Sequence, residues 1–380
     1  MIYLDNSATT RPFMEVVDSY TKASLTFFGN PSSLHRMGTE AEQLLLKTKE
    51  QIAGILGISS SEIIYTSGGT EGNNLAIKGT AYQLKGRGTH LITTAVEHAS
   101  TIEAFRSLEA EGFKVTYLKP GPTGQVTAEQ VKAALTNQTI LVSIIHVNNE
   151  TGIIMPVEGI GELLKGYPKV RFHIDHVQGA TKVPLRLAHG LIDLVTFSSH
   201  KFHGLKGTGF IYKKDGLRLT PLFHGGGQEG ALRSGTENVA GAVATAKALR
   251  MAMELYEERH DKLLHLRNQL LEGLSEIEGV VINTPKELAA PHIVNFSIPK
   301  MKPEVIIQAL SKRDIHVSTK SACSTKRSEP SHVLLAMGVG KERANSAIRL
   351  SLSYLTTEDE VSKALQELQH LIPELLEVVK

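Results

Sequence analysis

Between about residues 60 and 215, apolar runs alternate with segments of helical spacing. "EIIYTS" (62–67), "THLITTA" (89–95), "KVTYL" (114–118), "TILVSIIHV" (139–147), "VRFHID" (170–175), "DLVTFSS" (193–199) and "GFIYKK" (209–214) read as strands. Helices are expected between several of them, at Gly72–Leu84, Ser100–Glu111 and Thr127–Leu135. The alternation predicts an α/β fold with a mostly parallel sheet and helices on both faces. In such sheets ligands bind beyond the carboxyl ends of the strands, so the residues just after each strand matter most.

From Glu237 to about Ile277 no proline interrupts a helical pattern, with a bend expected near Gly241. Beyond it come "HIVNFSI" (292–298), a helix near Pro303–Arg313, a polar loop at 319–330, "SAIRLSLS" (346–353) and a last helix from about Glu358. These fewer elements suggest a smaller α+β domain. No internal repeat or low-complexity segment is present.

Composition narrows the function. The 380 residues are 41% hydrophobic and 21% charged, ordinary values for a globular protein. A net charge of +2 leaves no electrostatic footprint for nucleic acid. Cys323 is the only cysteine, which excludes an intrachain disulfide and cysteine-cluster metal sites. It suits a reducing compartment, so a cytoplasmic location is expected. The N-terminal "MIYLDNSATT" lacks a basic stretch ahead of an apolar run, so no signal peptide is expected. No apolar run approaches the ~18 residues of a membrane span. The 16 histidines show no H-E-x-x-H, and no metal is expected.

The strand ends carry the candidate chemistry. "YTSGGTEGNN" places Ser67 to Thr70 between a strand and a helix, as an anion cradle or a simple helix cap. "VEHAS" places His98 where it would stack on a flat ligand or serve structure alone. "HVNNETG" offers Asn149 for a polar substrate, or for turn chemistry. "HIDHVQG" ends a strand on Asp175, with Gln178 three residues on. An acid at a buried strand end is costly unless it meets a cation, such as a protonated ring nitrogen. "TFSSHKFHG" closes the next strand with Lys201, either a desolvated nucleophilic amine or a lysine that snorkels to water. Ser198 and His200 beside it are donors for a phosphate. Together the set asks for pyridoxal phosphate, which needs a lysine, an acid for the pyridine nitrogen and a phosphate site. The 26 residues from Asp175 to Lys201 fit a strand–crossover–strand unit that places both at neighbouring strand ends.

These motifs, with "YLDNSATT", "GNPSSLHRMG", "HGGGQEGALRSGTEN", "SAC" and "IRLSLS", resemble the NifS/IscS-type cysteine desulfurases from Tyr3 to Ser353. The resemblance implies the class V aminotransferase family and the pyridoxal-phosphate transferase fold of type I. The large domain would span residues 16–257, and the small domain 1–15 and 258–380. It implies a homodimer that converts L-cysteine to L-alanine and leaves the sulfur on Cys323 as a persulfide. That sulfur would go to an acceptor protein, such as an iron–sulfur scaffold, a tRNA-thiolation enzyme or a thiamin-pathway carrier. Lys201 would bind the cofactor covalently, Asp175 would pair with its ring nitrogen and Gln178 would reach its hydroxyl. His98 would stack on the ring and move protons. Gly69, Thr70, Ser198 and His200 would hold the phosphate, and Thr236 would reach the other subunit's cofactor. Asn149 and Arg349 would bind the substrate carboxylate.

The sequence departs from the family pattern at His176, where a small residue is usual and a side chain toward the ring is expected. Ser199, Leu205 and Ser353 also differ from the usual Gly, Pro and Gly. Lys320, Lys326 and Arg327 would favour a thiolate at Cys323, or form a solvated face. Rival readings are a selenocysteine lyase or aminotransferase on the same fold, a cofactor-free sulfurtransferase, and a binding protein on the same scaffold.

Overall fold

The computed structural model describes residues 1–319 and 330–379. Its main sheet has seven strands: β1 (Ile63–Thr66), β2 (His90–Thr94), β3 (Lys114–Leu118), β4 (Thr139–Ile145), β5 (Arg171–Asp175), β6 (Leu194–Ser198) and β7 (Gly209–Lys213). They lie in the order β1-β7-β6-β5-β4-β2-β3. Pairing is parallel from β3 through to β6. β7 runs antiparallel between β1 and β6. All seven residues of β4 and all five of β6 are buried, which is why these segments read as continuous apolar runs rather than alternating ones. Asp175 pairs with Ile145 on one side and Thr196 on the other, so the ends of β4, β5 and β6 lie side by side. The crossover from β5 to β6 is built of turns and contains no helix.

Two large cores flank one long helix, Val239–Ser275. Ala244, Ala248, Leu249 and Ala252 pack into the core around the main sheet. Leu263, Leu266, Leu270 and Leu274 pack into the second, and Leu255 touches both. The second core backs an antiparallel sheet of Ala347–Ser351, Ile293–Ser297 and Val281–Ile282. The chain start joins this half: Ile2–Tyr3 pairs in parallel with Ile315–His316, and Asp5 bridges to Ser351. Phe13 packs into the main core instead. The N-terminal segment therefore passes between the two cores and over the ends of β5 and β6. Helices Met14–Thr26, Arg36–Leu56 and Val157–Leu164 complete the large half beyond the expected elements.

Candidate active site

The strand ends open on a cavity of about 160 Å³. Gly69, Thr70, His98, Asn149, Asp175, Gln178, Ser198, His200, Lys201 and Arg349 all line it. Ser7, Ala8, Asn73, Ser100, Ile145 and Val177 complete the wall.

Lys201 ends a single 3₁₀ turn, Ser199–Lys201, that follows β6 directly. Its Nζ donates to the Ser7 carbonyl at 2.5 Å and to the Ala8 carbonyl at 2.9 Å. Those carbonyls belong to the N-terminal segment, held in turn by the Ser7 amide donating to Ser351 Oγ at 2.8 Å.

Asp175 is buried. Its Oδ2 accepts from Asn73 Nδ2 at 2.7 Å and its Oδ1 from the Val177 amide at 3.0 Å. Both carboxylate oxygens are thus held by donors. Asn73 Nδ2 also donates to Ser100 Oγ at 2.9 Å, and Ser100 Oγ lies 2.9 Å from His98 Nδ1. The Ser100 amide donates to the same Nδ1, which places the proton of the neutral ring on Nε2. Burial lowers the His98 pKa, with the Asp175 charge opposing and Lys201 reinforcing. His98 therefore stays a neutral imidazole near neutral pH.

The helix Gly69–Leu84 starts with Gly68 as its N-cap and carries no side-chain cap. Gly68 sits at φ 142°, where L side chains are strained. The uncapped N–H groups of the first turn are thus left for an anion at Gly69 and Thr70. His200 lies on the same rim, its Nδ1 3.1 Å from Thr9 Oγ1. Burial, then the nearby Lys201 and Lys206 charges, hold its pKa down to about 3, so it is a neutral donor there.

On the opposite wall, Arg349 comes from the small sheet and is fully buried. One terminal nitrogen donates to the Asn149 carbonyl at 2.7 Å, and the other pairs with Asp5 Oδ1 at 2.9 Å. Arg349 Nε and Asn149 Oδ1 are buried with no partner among the described residues. Gln178 Nε2 donates to the Ser7 carbonyl at 2.9 Å, and its Oε1 lies 3.4 Å from His292 Nε2.

Three of the residues singled out in the sequence do not line this cavity within the described residues. Thr236 lies outside this cavity and lines a neighbouring one of about 210 Å³ with Tyr65, Gly209 and Arg233. Cys323, with Lys320, Lys326 and Arg327, lies outside the described residues. His176 does not point toward the cavity. Successive residues leave a strand on opposite sides, so with Asp175 facing in, His176 faces away. It stacks on His146, with ring centroids 4.8 Å apart and Nδ1 atoms 2.8 Å apart, and meets Phe197 edge-on. Val177 takes the place beside the cavity that was expected of His176.

Asn73 and Val177 had not been singled out from the sequence. Asn73 stands four residues after Gly69, one helical turn in and on the same face, which is the signal that would have found it.

A profile of the aminotransferase class-V family matches residues 2–364. A NifS/IcsS protein homolog of Lactobacillus delbrueckii subsp. bulgaricus is 43% identical over 96% of this chain and 95% of its own length. The cysteine desulfurase IscS of Clostridium botulinum is 40% identical over 99% of this chain and 96% of its own. Among solved structures, a NifS-like protein superposes with a TM-score of 0.92 at 38% identity, covering 98% of this chain and 99% of that one. A structure of SspA in complex with cysteine superposes with a TM-score of 0.80 at 32% identity, covering 94% and 100%. The chain belongs to the aminotransferase class-V family and, within it, to the pyridoxal-phosphate-dependent cysteine desulfurases of the NifS/IscS type.

Proposed function

We propose that this cavity holds pyridoxal phosphate and that its residues desulfurate L-cysteine, passing the sulfur through Cys323 to an acceptor protein. The residues fit the cofactor. A buried carboxylate that accepts two hydrogen bonds suits a protonated ring nitrogen, and the uncapped helix start suits a phosphate. A Cβ on Gly69 would come within 3.0 Å of Val177 Cγ2, so glycine keeps that corner open. The single observation that carries the reading is the pair Asp175 and Lys201, brought by neighbouring parallel strands to one cavity.

When bound, the cofactor supplies an electron sink for carbanion chemistry. Lys201 would hold it, and its Nζ would be the base for the substrate Cα proton. Asp175 would pair with the ring nitrogen and keep it protonated, and Gln178 would reach the ring hydroxyl. His98 would stack on the ring, with its proton on Nε2. Gly69, Thr70, Ser198 and His200 would hold the phosphate. The free N–H groups of Arg349 and the amide of Asn149 orient the substrate carboxylate. The Cys323 thiolate attacks the substrate sulfur: an S–S bond forms, and the C–S bond breaks with its electron pair left on carbon. Protonation of that carbon gives L-alanine, and the Cys323 persulfide delivers its outer sulfur to the acceptor. The protein works as a homodimer in which Thr236 reaches the partner's phosphate site.

Purified protein should absorb in the visible and form alanine from cysteine. Lys201→Ala should lose that absorbance. Cys323→Ala should keep it but form no persulfide, and intact sulfur transfer in that variant would remove Cys323 from the mechanism.

A further inference from the structure

Lys182 has no task in the chemistry above, yet it is 4% exposed. Its pKa is pushed down to about 7, first by burial and then by the Lys201 charge, with no acidic group among the described residues offsetting this. Burying such a group weakens folding wherever the unfolded chain would hold the proton: stability falls as pH drops from the ordinary lysine value toward 7. An apolar side chain of similar length would avoid that cost. Lys182 Nζ instead donates to the Lys201 carbonyl at 2.9 Å and to the Ala180 carbonyl at 3.3 Å. The first belongs to the turn after β6. The second belongs to the turn that follows Asp175 at the end of β5 and carries Gln178. Lys182 thus ties together the two turns that carry the lysine and the acid of the site.

We propose that Lys182 is a positioning residue for Lys201. It fixes the Lys201 backbone against the turn that carries Asp175, and its charge disfavours protonation at the Lys201 nitrogen. This rests on Lys201 being the cofactor lysine. The charged neighbourhood supports it. His176, His203 and His292 face Lys182 and are all held below the ordinary histidine range by burial. His98 and His200, which face Lys201, are lowered as well. Among the described residues, the other charges near Lys201 include Asp5 and Arg349, which pair with each other, and Asp175, which lines the same cavity.

The test is a pH titration of visible absorbance on cofactor-loaded protein, with kcat and KM for alanine formation. Wild type, Lys182→Met, Lys182→Gln and Lys201→Ala are compared. Glutamine keeps an N–H donor for the Lys201 carbonyl but carries no charge. The absorbance midpoint should rise by about one pH unit in both Lys182 variants. In Lys182→Met, kcat should fall about tenfold with KM within about twofold, and Lys182→Gln should recover part of kcat. A folded Lys182→Met with wild-type midpoint and wild-type kcat overturns the proposal. Should that variant fail to fold, an unmoved midpoint in Lys182→Gln overturns it. Visible absorbance that persists in Lys201→Ala would instead overturn the assignment of Lys201.

Discussion

Asn73 donates to Asp175 Oδ2 at 2.7 Å, joining the first turns of the helix Gly69–Leu84 to the end of β5. The same amide nitrogen reaches Ser100 at 2.9 Å, and Ser100 reaches His98. Acid and imidazole are therefore set in one chain of hydrogen bonds, anchored on a residue that touches neither reacting atom. The helix packs across β4, β5, β6 and β7, so its register fixes where that amide points.

Asn73→Ala should expose the importance of this link. It leaves the buried carboxylate one donor short, at a cost of about 1.5–3 kcal/mol for a hydrogen bond to a charged group. Denaturant unfolding of the variant should show a loss of that size. Cofactor release on dialysis should also quicken if Asp175 pairs with the ring nitrogen as proposed, because the acid is no longer held. Unchanged stability together with unchanged retention would mean that the Val177 amide alone suffices to hold Asp175.

Glu97 gives a prediction with a definite pH sense. It is fully buried next to His98, and its Oε1 accepts from Thr94 Oγ1 at 2.7 Å and from the Ile145 amide at 2.9 Å. Burial pushes its pKa up to about 8 against those hydrogen bonds, with a smaller push from Asp175. Below the ordinary carboxylate range both folded and unfolded chains hold the proton. As pH rises toward 8 the unfolded chain releases it while the folded chain keeps it, so this group increasingly weakens folding, and the effect levels off above 8. Glu97→Gln removes that slope. Urea unfolding of the variant and wild type should diverge between pH 5 and pH 8 in favour of the variant, by on the order of 3 kcal/mol. A constant difference across that range would show that Glu97 is ionised in the fold.

How much of this was legible in the sequence follows from which interactions are local. The strands of the main sheet were readable because burial on both faces leaves unbroken apolar runs, as in "TILVSII". Lys201 and Asp175 stood out because a charge closing such a run is costly. The short strand Ile2–Tyr3 was not readable. Two residues carry no period, and its pairing with Ile315–His316 spans almost the whole chain. With it went the roles of the Ser7 and Ala8 carbonyls, since a backbone oxygen leaves no mark in the residue types. Lys182 escaped for a related reason: its partners are carbonyls, not a carboxylate that could be matched to it. His176 was placed on the wrong side because a motif gives residue order, while the side a residue faces depends on where the strand ends.

The placement of His176 can be tested through Gly179. A Cβ at Gly179 would lie 2.4 Å from His176 Nδ1 and 3.2 Å from His146 Nδ1, so the stacked imidazoles occupy the space that a side chain there would need. Gly179→Ala should cost about 1–3 kcal/mol through overpacking. His176→Ala should also destabilise, by removing the stack on His146 and the edge contact with Phe197. In the double variant the new methyl enters the space the imidazole vacated, so its loss should be smaller than the sum of the two by about 1 kcal/mol or more. His176→Ala should meanwhile retain the visible absorbance of bound cofactor, because the imidazole is not part of the cavity wall. Additive losses in the cycle, or a folded His176→Ala that no longer keeps its cofactor, would put His176 back against the ring.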